Sequence, residues 1–353
     1  MADDELVVGE DDVLRGIDPS EIEGDDELLP EPSAADADSP TAIQPVRYKV
    51  VPEGEPQDGG TRYSVLDLDT GVTSYAGKVL KYGSRRGLSR ASDLLIYDRF
   101  AEEDDIGAWA HFMWPSVIAE SNGRYISINA WDRAHFTWGF YQLAAHTPGD
   151  NLILLMRELV TLSSARRFFP DLTLVNGKLA KASAAGPVSL EKEYEVQVGD
   201  GTEMQLVDFM TYLNPSSFKV EEREVLSAAK FAAWANEDSA MRAATVRVSV
   251  EIMKRKIKAR AATFGLIGKQ PELAIWISDM FHQGRGSTSQ AKSALALPTL
   301  SQQLEGLSKI DTTGQHANRL ASVKQSVGLL LDEKRFEGIR FGEGDLSFES
   351  LDV

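Results

Sequence analysis

Between residues 104 and 162 the hydrophobic pattern of this chain changes period twice, and that alternation leaves few folds open to it. Residues 104–119 carry Trp109, Phe112, Met113 and Trp114 among the apolar positions of an amphipathic segment, which predicts a helix. The turn pair Asn122-Gly123 and the alternating run Tyr125-Ile126-Ser127-Ile128 predict a β-hairpin over residues 123–141. From Asp150, the expected N-cap, Leu152, Leu155, Met156, Leu159 and Leu162 return to helical spacing. The order is helix, hairpin, helix. A carboxylate, Glu120, ends the first helix, while an acid, Asp132, and a hydroxyl, Thr137, stand on the hairpin.

That layout suits glycoside hydrolysis, in which one carboxylic acid protonates the leaving oxygen while a second carboxylate activates water or attacks the sugar. A carboxyl at a helix end among aromatics loses hydration, so Glu120 is expected to rise in pKa toward the acid role. Asp132, on a more open hairpin, is expected to stay ionised as the base. Thr137 both donates and accepts hydrogen bonds and can hold the attacking water. The aromatics Trp131, Trp138 and Tyr141, with His135 and Gln142, are the candidate substrate contacts, since aromatic faces stack on sugar rings. Core packing explains at least some of these aromatics, and a lone histidine beside them is more often structural.

Glu120-Ser121, followed after a gap by Gly139-Phe140-Tyr141-Gln142-Leu143, resembles the lytic transglycosylases of the lysozyme superfamily, where Glu-Ser precedes a Gly-Leu-Met-Gln-like segment. Asp132 with Thr137-Trp138-Gly139 is more similar to phage-type lysozymes and chitosanases, in which an Asp and a following Thr-x-Gly hold water opposite a catalytic Glu. The resemblance covers residues 93–165. Tyr141 stands where Met is usual, and the gap from Glu120 to Asp132 has neither family's usual length. The resemblance implies an α+β, mostly α-helical lysozyme-like fold with a catalytic hairpin. Glu120 would be the acid, Asp132 the base and Thr137 the water holder.

Charge is unevenly spread. Residues 1–46 hold 15 Asp/Glu against one Arg, so most of the net charge of −17 lies there. With five prolines and no aromatic, that segment is expected to be a disordered acidic tail. The remainder is near neutral, which disfavours nucleic acid as a partner. No cysteine is present, so neither a disulfide framework nor a thiolate metal site is available. No apolar run is long enough to span a membrane, and the start carries no basic, apolar signal-peptide pattern. Synthesis in the cytoplasm and release by a non-classical route are therefore expected.

The rest divides by pattern. Residues 47–92 read as a small β-rich unit ending in a basic cluster, Lys78, Lys81, Arg85, Arg86 and Arg90. Residues 91–99 are expected as a short helix. Residues 93–340 form the expected lysozyme-like domain, with a small extra β lobe inserted near 171–215, where Asn176-Gly177 and Gly199-Asp200-Gly201 mark hairpins. From Glu221 helices follow, among them a long one over 239–264 with five cations between Lys254 and Arg260, and another over 271–282. Residues 341–353 are expected as a fraying acidic tail. The five histidines lack metal-ligand spacing, and no phosphate loop, dinucleotide fingerprint or nucleophile elbow occurs, so neither cofactor nor metal is expected.

These readings lead to a peptidoglycan muramidase, with a chitosanase-like glycan hydrolase as the near alternative. A cell-wall target implies delivery as an antibacterial effector or phage-like lysin, with a delivery component or an immunity protein as partner. A different class stays open: a lysozyme-like module without activity, used for binding or assembly.

Overall fold

The computed structural model describes residues 43–55, 58–312 and 314–342 and the backbone of 348–350. The expected disorder of residues 1–45 falls almost wholly outside them. In chain order the elements are β1 (Tyr48–Glu53), β2 (Arg62–Asp67), β3 (Thr73–Tyr82), β4 (Arg85–Ala91), α1 (Glu103–Ile106), α2 (Trp109–Ser121), β5 (Ser127–Asn129), β6 (Thr137–Trp138) and β7 (Leu143–Ala144). Then come α3 (Leu152–Leu159), α4 (Ala165–Phe168), β8 (Leu172–Val175), β9 (Lys178–Lys181), β10 (Val188–Ser189), β11 (Tyr194–Val198), β12 (Gly201–Gln205) and α5 (Val207–Leu213). The chain continues through α6 (Glu222–Glu237), α7 (Ser239–Phe264), α8 (Pro271–Gln283), α9 (Thr288–Leu295), α10 (Leu300–Leu307), α11 (Ala317–Asp332), β13 (Ile339–Phe341) and β14 (Phe348–Ser350). The class is mixed α and β, with antiparallel sheets.

Two compact units share these elements. The sheet unit holds the described residues up to Ile96 and Arg124–Val248. Its seven strands follow chain order, β1 to β7, each paired antiparallel with the next. The expected boundary at residue 92 is therefore corrected: β4 pairs directly with β5, Ser89 opposite Asn129, so the N-terminal strands and the hairpin form one sheet. Gly87 makes the close approach possible, since a Cβ there would sit 2.4 Å from the Ala130 carbonyl. Helix α6 lies against β1–β4, and Phe231 on it stacks with Phe136 and Trp138 to form the core. The hairpins β8–β9 and β11–β12 occupy the region expected as a β lobe.

The helical unit holds Tyr97–Gly123 and the described residues from Ser249 onward. Helix α2 packs against α11 and α8, burying Trp109, Phe112, Met113 and Val117. It stops because Asn122 adopts the left-handed conformation, φ 55°, and its N–H caps the Ile118 carbonyl. The chain from 341 onward was expected to fray, but β13 pairs with β14, Phe341 opposite Phe348. Residues 92–99 form no helix. Their backbone is spent on pairing instead: the Ser92 N–H donates to the Ile126 carbonyl and the Tyr125 N–H to the Leu95 carbonyl. No helix among the described residues is long and apolar enough to cross a membrane.

Candidate functional site

Glu120 lies on the last turn of α2, in the helical unit, and three side chains converge on it. The Gln283 amide donates to its Oε2 at 2.9 Å, the Arg319 guanidinium bonds the same oxygen, and His282 Nε2 stands 3.7 Å away. Arg319 also reaches Asp279, its Nη2 2.7 Å from Oδ1. Asp279 is fully buried and takes a second guanidinium, Arg285, at 3.1 Å. Arg285 in turn donates to the Ile310 carbonyl at 2.7 Å. Gly286 next to it is tightly enclosed, a Cβ there meeting Ile310 at 2.4 Å. The result is a chain of alternating charges, Glu120, Arg319, Asp279 and Arg285.

This environment reverses the expected pKa of Glu120. Burial alone would raise it, but the charge and hydrogen bond of Arg319, with His282 close by, outweigh that and hold the carboxyl at about 2. A carboxylate so held keeps no proton to donate near neutrality. The expected rise of the Glu120 pKa toward the acid role is corrected on that ground.

Asp132 belongs to the sheet unit and is 5% exposed. Its Oδ1 accepts the Ala134 N–H at 2.9 Å and its Oδ2 the Asn129 amide at 3.2 Å, and no cation bonds it among the described residues. Burial pushes its carboxyl up to about 6, against the lowering effects of the Ala134 N–H and the charges of Arg85 and Arg133. The expectation of an open position for Asp132 is corrected: it is buried, and its carboxyl titrates higher than an exposed one.

Thr137 is the β6 partner of Asn129, so the two side chains share a face of the sheet. Its hydroxyl is buried without a hydrogen-bond partner among the described residues. Asn129, Asp132 and Thr137 thus form one polar cluster on the β5–β6 connection. Asn214, 0% exposed at the end of α5, holds that connection from outside. Its amide donates to the Ala130 carbonyl at 3.0 Å and the His135 carbonyl at 2.8 Å, and its own carbonyl meets His135 Nδ1 at 3.2 Å. His135 is left-handed, φ 58°, a conformation a non-glycine residue keeps only where its surroundings impose it. Burial lowers its imidazole pKa and lowers that of His146 to about 4, so both rings are neutral at pH 7.

The other expected substrate contacts divide. Trp131 is half-buried, 5.3 Å from the Tyr82 ring. Trp138 and Tyr141 are each 1% exposed, which leaves no face for a sugar. Trp138 is core, 4.9 Å from Phe231. Gln142 is structural, its amide bonded to the Ser127 hydroxyl at 2.9 Å and the Gly139 carbonyl at 2.8 Å. Those three are corrected as ligand contacts.

Sequence reasoning missed Asn129, Asn214, Asp279, Gln283, Arg285 and Arg319. Arg319 is 199 positions from Glu120, and no local pattern announces such a pair. Asn129 was within reach, because it alternates in register with Thr137 across the expected hairpin. No group of His, Cys, Asp and Glu among the described residues is arranged to hold a metal ion. Neither a family model, a curated protein nor a solved structure matches this chain.

Proposed function

We propose that this chain is a glycoside hydrolase acting on peptidoglycan or a related glycan, with Asp132 as its proton-handling carboxyl. The observation that carries the reading is Asp132: a buried carboxyl pushed up to about 6, bonded to Asn129, whose strand partner Thr137 has a buried hydroxyl without a hydrogen-bond partner among the described residues. A group that titrates near the working pH is the best suited to exchange a proton in a transition state. Thr137 keeps its expected role of holding water, for which a hydroxyl that both donates and accepts is fitted. Delivery as an antibacterial effector or lysin, with an immunity protein as partner, belongs to the same reading.

Zymography on purified cell wall tests it. Wild-type protein should clear the wall, and Asp132→Asn should lower the rate by about 100-fold or more. An Asp132→Asn protein that digests wall at the wild-type rate ends the assignment.

A second reading, a lysozyme-like binding or assembly module without turnover, is favoured by the Glu120 network. Its Oε2 is bonded by side chains of two neighbouring helices, α8 and α11, as in a structural tie. Retention of wild-type protein on insoluble wall, with no release of sugar, selects that reading.

A further inference from the structure

Strand β4 begins at Arg85, but its partner β5 ends at Asn129, opposite Ser89. The next pair, Leu88 and Ala130, is of the kind that exchanges two hydrogen bonds in an antiparallel ladder. Only one is made: the Ala130 N–H donates to the Leu88 carbonyl at 2.9 Å. The other two groups are each taken by a side chain. The Leu88 N–H donates to Oε1 of Glu224, and the Ala130 carbonyl accepts the Asn214 amide at 3.0 Å. Further along β4, the Arg86 N–H donates to the Ser217 carbonyl at 2.8 Å. Asn214 ends α5, Ser217 lies in the connection and Glu224 stands on the first turn of α6. Together they fill the place along β4 that a longer β5 would take.

We propose that Glu224 is a positioning residue for Asp132, acting with Asn214 to keep the β4–β5 ladder open between Leu88 and Ala130. Leu88 shares a face of the sheet with Ile128 and Trp138, the face on which Phe231 of α6 packs. Gly87, Ser89, Asn129 and Thr137 share the other, and the chain at Ala130 and Trp131 crosses over it at Gly87. Asp132 follows and folds back onto the Asn129 amide at 3.2 Å. A closed pair would hold Ala130 in the sheet and draw Asp132, two residues on, away from Asn129. An open pair lasts only where each buried half finds another partner. Glu224 and Asn214 are both 0% exposed and supply those partners in place of water. Burial pushes the Glu224 carboxyl well above its ordinary range, against hydrogen bonds from the Leu88 and Glu221 backbone. Its neutral form is thereby favoured, and a glutamine amide reproduces the acceptor. Any bearing on catalysis rests on the proposed function, whereas the open ladder and the placing of Asp132 do not.

The test is a double-mutant cycle on the full chain, read by urea midpoint and by carbon-13 titration of the Asp132 carboxyl. Glu224→Leu orphans the Leu88 N–H, and Asn214→Ala orphans the Ala130 carbonyl, so each alone should lower the midpoint. In the double variant the two orphaned groups can bond one another, and the loss should be smaller than the sum of the two. Stability recovered in this way should not restore Asp132. Its titration should move from about 6 toward the ordinary ~4 in Glu224→Leu and in the double variant. Glu224→Gln, which keeps an acceptor for the Leu88 N–H, should leave that titration in place. Turnover on cell wall by the double variant should fall by about tenfold or more with KM little changed, as for a misplaced group. If Glu224→Leu alone is too unstable to titrate, the double variant carries the test. Additive losses of stability, or an Asp132 titration unmoved in the double variant, overturn the proposal. So does a Glu224→Gln protein that behaves like Glu224→Leu, because the acceptor is then not what matters. The expected shifts in a protein that clears no cell wall leave the positioning role standing and sink only the hydrolase reading.

Discussion

The two carboxylates that the sequence singles out are both buried, yet their surroundings drive them in opposite directions. Glu120 meets a guanidinium, an amide and an imidazole and stays ionised. Asp132 meets one backbone N–H and one amide and holds its proton to about 6. Burial raises both. The sign of the net shift is decided by whether a cation touches the carboxylate, and that depends on residues far away in the chain. The contrast also fixes how each responds to pH. Glu120 and Asp279, both lowered, contribute stability that is present above the ordinary carboxylate range and lost as pH falls through their folded values. Asp132, raised, behaves in the opposite sense: as pH climbs from about 4 to about 6 the unfolded chain gives up its proton first, and stability falls.

The largest effect should come from Arg319→Met, which leaves Glu120 without its main partner and Asp279 with one guanidinium instead of two. Removing one member of a buried ion pair costs about 3–5 kcal/mol, read as a drop in the urea midpoint at pH 7. The double variant Arg319→Met, Glu120→Gln should recover part of the loss, since no bare charge remains at that end. A single variant as stable as wild type would show that the cluster is held by packing, and the contrast between the two carboxylates would lose its basis.

Asp132→Asn comes next, and its effect on stability depends on pH. Above pH 6 the wild-type carboxylate is ionised in a site that disfavours charge, a penalty of up to ~3 kcal/mol. The variant should therefore be more stable than wild type at pH 8 and equal to it near pH 4. Thermal melts across that range measure the difference. A gap that widens toward acid would reverse the sign assigned to Asp132. Stability gained at pH 8 together with activity lost is the pattern expected of a group kept for function.

Asn214→Ala sharpens the comparison from the side of the scaffold. It deletes the donors to the Ala130 and His135 carbonyls, both on the segment that positions Asp132. A buried acceptor left unsatisfied costs ~1–3 kcal/mol. Hydrogen exchange should quicken across residues 130–136 while the β8–β9 hairpin keeps its protection. Uniform acceleration would mean that Asn214 supports the whole unit.

What the sequence shows and hides follows from the range of the interactions. Helix α7 is expected over 239–264 and found as Ser239–Phe264, and α8 is found one residue longer than expected, as Pro271–Gln283. Gly265, Pro271 and Gly284 mark these ends through local backbone geometry, which a short window of sequence contains. Asn176-Gly177, with φ 52° and 75°, is a turn for the same reason. Residues 91–99 fail the helix expectation because their hydrogen bonds go to the segment after α2, which no local window includes. The candidate site divides along the same line. Asp132 and Thr137 are visible as types in a pattern, whereas the direction of each pKa is not, because it rests on Arg319 for one carboxylate and, for the other, on burial with no bonded cation among the described residues.

Thr137→Val should have the smallest effect on stability and the sharpest meaning. Valine keeps the shape and β-branching that suit β6 and removes a buried hydroxyl that bonds no described residue. A buried hydroxyl without a bond is a net cost, so its loss should be neutral or stabilising by up to ~1 kcal/mol. If the hydroxyl is only a tolerated feature of the sheet core, nothing else changes. If it holds a water for Asp132, turnover on cell wall should fall several-fold while the melting temperature stays level or rises. The pH at which Asp132 titrates should then also move, since a water lost from its neighbourhood leaves the carboxyl drier and its pKa higher. A carbon-13 titration of the Asp132 carboxyl in both proteins reads that movement directly. An unchanged titration with unchanged turnover would place Thr137 outside the site and leave Asp132 and Asn129 to carry it.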